Sequence, residues 1–207
     1  MKIHIFDFDG VICDSNKLKT FCLKKVVEKN IGKIAAKDFE DHHKINGGIS
    51  RYEKFNRLIK KYRCNEIIFE KMLRDTENLI KVKFANLEMI DQTEEVLKKF
   101  FLDNDKLYIA SGGKEIEIKD LCKKWGITKY FVGIFGSPKN KIEISQNIKK
   151  KHPQRKIHFY GDSKYDYECS LKINSEFTFV SEYSDSRDWF NPKMGNEISK
   201  LKDLLKI

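Results

Sequence analysis

The chain is poor in proline, with only Pro138, Pro153 and Pro192 in 207 residues. Helices can therefore run uninterrupted, and a proline-rich linker is excluded. The five cysteines, Cys13, Cys22, Cys64, Cys122 and Cys169, form no CxxC pair and show no zinc-ligand spacing. An odd, scattered set argues against a disulfide framework and for a reducing compartment. No stretch reaches the roughly 18 apolar residues of a membrane span. The first strand-like run begins at once, which leaves no room for a signal peptide, so a cytoplasmic protein without a membrane partner is expected. Repeats, low-complexity segments, arginine-rich tracts and aromatic–basic repeats are also missing. The last two bear on the net charge of +10, from 41 basic and 31 acidic residues. Such an excess can attract polyanions. Here the lysines are scattered, so it reads as a lysine-rich surface and not as a nucleic-acid face.

What the chain does have is patterned. A hydrophobic content of 40% and a charged content of 35% fit a soluble globular protein large enough for one core and an insertion. Strand-like apolar runs lie near 2–8, 106–111, 131–135, 156–160 and 176–180. Helix-like stretches at 114–125, 140–151 and 164–172 separate the later ones. This alternation predicts a Rossmann-like α/β core, a parallel sheet with helices on both faces. Residues 16–85 break the pattern and read as an α-helical insertion after the first strand. Leu18, Phe21, Cys22 and Val26 mark one apolar face; Tyr52, Phe55, Leu58 and Ile59 a second; Ile67, Ile68, Met72 and Leu79 a third. Ile198 to Ile207 reads as a closing helix, and 181–196 as irregular.

The chemistry sits at the strand ends. The first strand runs into Phe6-Asp7-Phe8-Asp9-Gly10, which places two carboxylates two residues apart, on one face of an extended strand, before a glycine that permits a tight turn. Open α/β sheets bind ligands at that edge, and adjacent acids repel unless a cation or proton lies between them. Tyr108-Ile109-Ala110-Ser111-Gly112-Gly113 is a second strand, ending in a hydroxyl and a glycine turn that could cradle an anion ahead of a helix. Gly136-Ser137-Pro138-Lys139-Asn140-Lys141 is a turn bearing two lysines. Ile157 to Asp166 is another strand ending in acids, Asp162 and Asp166.

These four segments, in this order, resemble the motifs of the haloacid dehalogenase superfamily, most of whose members are phosphatases. The helical insertion places the chain near the capped phosphoglycolate phosphatase and β-phosphoglucomutase-like members. The resemblance implies a core of 1–14 and 87–207 and a cap of 15–86 that closes over the site. It implies that Asp7 is the nucleophile and Asp9 the general acid. It also implies Mg²⁺ held by Asp7, Asp162 and the backbone carbonyl of Asp9, with Asp166 supporting the metal. Ser111 and the Gly112 N–H would hold the phosphoryl group. Lys141 would neutralise charge there and is preferred because Ile142, Glu143 and Ile144 open a helix after it, while Lys139 competes for the role. In the cap, Asn46-Gly47-Gly48-Ile49-Ser50-Arg51 resembles a substrate-specificity loop, which makes Arg51 and Lys54 candidate substrate contacts. His42 and His43 read as surface or cap-packing residues.

The implied reaction is Mg²⁺-dependent hydrolysis of a small phosphorylated metabolite, a sugar phosphate or related phosphorylated acid. The alternatives are a sugar phosphomutase and a nucleic-acid end-processing phosphatase. The mutase reading is weakened because Lys19 stands where those enzymes carry a histidine. A dehalogenase is disfavoured because Asp9 is present.

Overall fold

The computed structural model describes residues 1–206 of the chain. Six strands form one parallel sheet: β1 (Ile3–Phe6), β2 (Lys106–Lys114), β3 (Phe131–Ser137), β4 (Ile157–Gly161), β5 (Glu176–Val180) and β6 (Asn196–Ile198). Their order is β3-β2-β1-β4-β5-β6. The chain steps outward from β1 to β3, then returns to the other side of β1 for β4. That reversal opens a crevice at the carboxyl ends of β1 and β4, the place where open α/β sheets bind ligands.

Alternation along β1 separates two cores. Phe6, with Leu107, Ile109 and Tyr160, faces the side that carries Val96 and Leu97 of α5 (Thr93–Leu102) and Ile118 and Leu121 of α6 (Glu115–Lys124). Ile3 and Ile5, with Tyr108, Ala110 and Phe159, face Ile144 and Ile148 of α7 (Lys141–Lys151) and Cys169 of α8 (Lys164–Lys172). A strand with apolar residues on both faces belongs in the middle of a three-layer domain.

Between β1 and α5 lie four helices, α1 (Asn16–Asn30), α2 (Lys33–Ile45), α3 (Arg51–Lys61) and α4 (Glu66–Lys83). They pack on an apolar cluster of their own that includes Leu23, Val27, Phe39, Phe55, Leu58 and Met72. The two chain crossings between this insertion and the sheet run side by side. Cys13 and Met89 form an antiparallel bridge, and the Ile90 N–H donates to the Ile12 carbonyl over 2.9 Å.

Four local expectations need correction. Phe21 and Ile67 do not face a core; they are 46% and 70% exposed. The buried stripe of α1 runs through Cys22, Leu23, Val26 and Val27, and that of α4 through Phe69, Met72, Leu73 and Thr76, so each face is rotated from the sequence reading. The closing helix is absent among the described residues. In its place are β6, parallel to β5, and a 3₁₀ turn over Leu201–Leu205, while Ile207 lies outside the described residues. The Asp203 carboxylate accepts from the Ser199 and Lys200 N–H groups, which starts this tight turn after the strand. Finally, Gly112 and Gly113 form no turn, because β2 continues in extended form through both to Lys114.

Candidate active site

The site is built at the carboxyl ends of β1, β2 and β4. Asp7 follows β1 directly, and its backbone N–H still donates to the Tyr160 carbonyl of β4 over 2.8 Å. Its Oδ1 accepts from the Phe8 N–H at 2.7 Å and faces the Lys141 Nζ at 2.9 Å. The chain then turns at Gly10, whose φ of +76° favours glycine. Space demands glycine there too, since a Cβ would stand 2.3 Å from Oδ2 of Asp162. That crowding brings the end of β4 up against the acidic turn after β1.

Lys141 opens α7, whose N-cap is Asn140; its ammonium is buried between two carboxylates, 2.9 Å from Asp7 and 2.6 Å from Asp166. Lys139 is exposed on the preceding turn. Asp166 has both oxygens engaged, Oδ1 by Lys141 and Oδ2 by Ser163, which donates from its hydroxyl at 2.6 Å and from its backbone at 3.1 Å. The Ser163–Asp166 capping box that starts α8 is thus also what aims Asp166 at Lys141.

Asp162 ends β4. The Asn16 side-chain amide at the start of α1 donates to it over 2.6 Å, and the Ser184 hydroxyl donates to its backbone carbonyl. Oxygens of Asp7, Asp162 and Asp166 lie within 4.8 Å of one another. Burial, followed by the charge of Asp166, pushes Asp7 up to about 7 against the pull of Lys141. Burial, then the charges of Asp7 and Asp166, lifts Asp162 well above the carboxylate range. Burial alone would drive Lys141 toward neutrality, but the two carboxylates outweigh it and its proton is held more firmly than usual. One ammonium among three buried acids leaves carboxylates that only protons or a further cation can balance. An all-oxygen donor set of this kind fits a hard divalent cation such as Mg²⁺.

Asp9 has a different environment. Lys19 Nζ lies 2.5 Å from its Oδ2, and the Ser15 hydroxyl donates to its Oδ1 at 2.6 Å. Burial raises its pKa, but Lys19 and Ser15 win and hold it below the usual range. Ser111 is buried at the end of β2, where its Oγ accepts from the Gly113 N–H at 3.0 Å. A Cβ on Gly113 would lie 3.5 Å from Asp9 Oδ2, so this strand end and the acidic turn are neighbours.

The helical insertion forms the opposite wall. One cleft is lined by Asp7, Asp9, Lys19, Arg51, Lys54 and Asp162, together with Gly48 and Gly112. Arg51 and Lys54 are both 2% exposed. The Arg51 guanidinium donates to both oxygens of Glu117 on α6. Lys54 Nζ lies 2.8 Å from His43 Nδ1. Burial, then the charge of Lys19, pushes Lys54 down to about 7. Burial, then Lys54, pushes His43 down to about 2, so the imidazole is neutral and accepts from the ammonium.

Sequence reasoning thus named residues that the structure brings to one cleft. It did not find Asn16, Glu117, the site-facing role of His43, or Asp185, which lines the cleft with an oxygen 3.9 Å from His43 Nε2. Asn16 follows the acid motif closely enough to have been suspected. His43 shares a helix with Phe39 and packs on it in a tilted arrangement, with ring centroids 5.3 Å apart, so packing was the readable part of its role. Glu117 and Asp185 carry no local signal. Trp189, without an assignment from sequence, packs edge-on against Phe179 at 5.0 Å and lies at the rim of the cleft.

A Rossmann-like sheet carries buried acids at its switch point, with a helical insertion above them. The chain belongs to the haloacid dehalogenase-like hydrolases, whose sequence pattern it matches over residues 4–180. Solved structures share the fold over nearly the whole chain. A Haemophilus somnus protein titled a predicted phosphoglycolate phosphatase superposes with a TM-score of 0.78 at 15% identity, over 100% of this chain and 97% of its own. A β-phosphoglucomutase from Clostridium difficile superposes with a TM-score of 0.78 at 20% identity, over 99% and 93%. A Clostridium acetobutylicum protein titled a predicted phosphatase gives 0.76 at 18% identity, over 100% and 99%. No curated protein matches the chain by sequence.

Proposed function

We propose that this hydrolase is a Mg²⁺-dependent phosphatase of small phosphorylated metabolites, with residues 15–86 as the cap and 1–14 and 87–207 as the core. The observation that carries this reading is the setting of Asp7. Its carboxylate is buried, one oxygen is anchored by Lys141 and the Phe8 N–H, and the residue lines the cleft. An anchored carboxylate with one constrained oxygen is a positioned nucleophile.

Asp7 attacks phosphorus, the bond from phosphorus to the leaving oxygen breaks, and a proton from Asp9 goes to that oxygen. Water then attacks the aspartyl-phosphate, Asp9 takes its proton, and the bond from phosphorus to Asp7 breaks to release phosphate. In the closed structure Lys19 and Ser15 hold Asp9 as an anion, the form the second step needs. Proton delivery in the first step requires Lys19 to withdraw. Ser111 and the Gly112 N–H hold the phosphoryl group, and Lys141 balances its charge. Asp7, Asp162 and the Asp9 backbone carbonyl would hold Mg²⁺, with Asp166 supporting from behind through Lys141. The cation would offset repulsion between nucleophile and phosphate.

The cap narrows the substrate class. Lys54, Arg51 and Lys19 put hydrogen-bond donors on the cleft wall, Arg51 already engaged by Glu117 and Lys19 by Asp9, which suits a phosphosugar or phosphorylated acid with further anionic or hydroxyl groups. Lysine at position 19, touching Asp9, favours hydrolysis over the mutase alternative.

The test is phosphate release from a panel of phosphorylated metabolites, with Mg²⁺ and with chelator, beside Asp7→Asn. Metal-dependent release that Asp7→Asn abolishes is expected. Isomerised sugar phosphate without free phosphate would overturn the reading in favour of a mutase.

A further inference from the structure

The seam between cap and core is held by ions of opposite sign. Arg51, the first residue of α3, donates from Nη1 to Oε1 of Glu117 over 2.9 Å and from Nη2 to Oε2. Glu117 lies in the first turn of α6, the helix that starts directly after the phosphate-facing end of β2. The planar fork of an arginine matches a carboxylate in a way lysine cannot. Arg51 Nε is buried without a partner among the described residues, so the hold on Glu117 rests on the two terminal nitrogens. Glu77 of α4 and Lys114 of β2 pair across the same seam, in a more exposed setting. Nearby, the backbones of Gly48 and Gly112 touch, with no room for a Cβ on Gly112.

We propose that Glu117 is a positioning residue: by holding the Arg51 fork it seats the cap loop 46–50 on the end of β2 and sets the closed register of the cleft. The inference rests on 15–86 acting as a cap, and not on which phosphoester is cleaved. Charges in such a seam have two low-energy states. They are paired when the cap is shut, with Arg51 buried and Glu117 partly exposed, or separately hydrated when it is open. A half-open cap would leave Arg51 partly desolvated and unpaired, so the pair favours the shut cap over a half-open one. Glu117 touches no reacting atom, and its effect passes through Arg51.

The test is amide hydrogen exchange on the full, substrate-free chain, which needs no turnover. Glu117→Gln keeps the shape and removes the charge. It should speed exchange in segments 46–54 and 112–118 by about tenfold or more, while α4 around Met72 and Leu73 keeps its protection. The charge-swapped double variant, Arg51→Glu with Glu117→Arg, should return the seam to within about threefold of the unaltered chain. Unchanged seam exchange in Glu117→Gln would overturn the proposal. So would acceleration spread evenly over the cap, or a swap that fails to restore protection. Hydrolysis of p-nitrophenyl phosphate by the unaltered chain, measured beside these, tests the phosphatase reading separately.

Discussion

Gly48 of the helical insertion and Gly112 of β2 meet backbone to backbone: a Cβ on Gly112 would stand 2.1 Å from the Gly48 carbonyl oxygen. Neither side can yield by rotating a side chain. Gly112→Ala should therefore leave the sheet intact, since Gly112 is extended, but prop the cap open. A displacement of about 1 Å at a reacting centre costs on the order of 10²-fold. Steady-state kinetics should show kcat/KM lower by about that factor, with the melting temperature nearly unchanged. Unimpaired turnover would refute the closure argument.

Lys141 is the ammonium that Asp7 and Asp166 share. Lys141→Met leaves two buried carboxylates without it. Removing one partner of a buried pair costs about 3–5 kcal/mol, and urea denaturation without metal should show a loss of that order. Turnover should be abolished even where the variant is folded.

The proposed Mg²⁺ site makes a prediction that needs no substrate. A ligand that binds only the folded state stabilises by about 2.7 kcal/mol at a hundred times its Kd. Mg²⁺ should raise the melting temperature of the unaltered chain, and Asp162→Asn should remove most of that shift. A shift that persists in Asp162→Asn would place the ion elsewhere.

Lys54 is held at about 7, against an ordinary 10.5 for lysine, first by burial and then by Lys19. Between those values the unfolded chain binds more protons than the folded one, so this group makes stability rise with pH. Its penalty is full below pH 7 and gone above about 10.5. Lys54→Met should accordingly be more stable than the unaltered chain at pH 6, by up to about 5 kcal/mol. The difference should shrink as pH rises toward 10. Denaturation of both chains across that range checks the sign; a constant difference would show that packing, and not charge, separates them.

The readable parts of the sequence were those whose signal is local. Strand period and the acids at the ends of β1 and β4 depend on neighbours within a few residues, and each lies where the pattern placed it. The choice between Lys139 and Lys141 was open for the same reason. Both are near the start of α7, and only burial of the first helical residue against Asp7 and Asp166 separates them geometrically. Phe21 and Ile67 were misplaced because an apolar residue at helical spacing is compatible with more than one face. The packing partner decides which face is buried.

Sequence by itself determined the parallel α/β core, the family and the residues with chemistry to offer, because hydrophobic period and motif spacing are properties of the chain. Tertiary structure alone decided that Glu117 takes the Arg51 fork, that Lys19 holds Asp9 and that His43 holds Lys54. It also decided that the glycines after Ser111 serve close approach and not a turn. Arg51 and Glu117 stand 66 positions apart. Their pairing depends on how two separately packed bodies meet, and no local pattern records that.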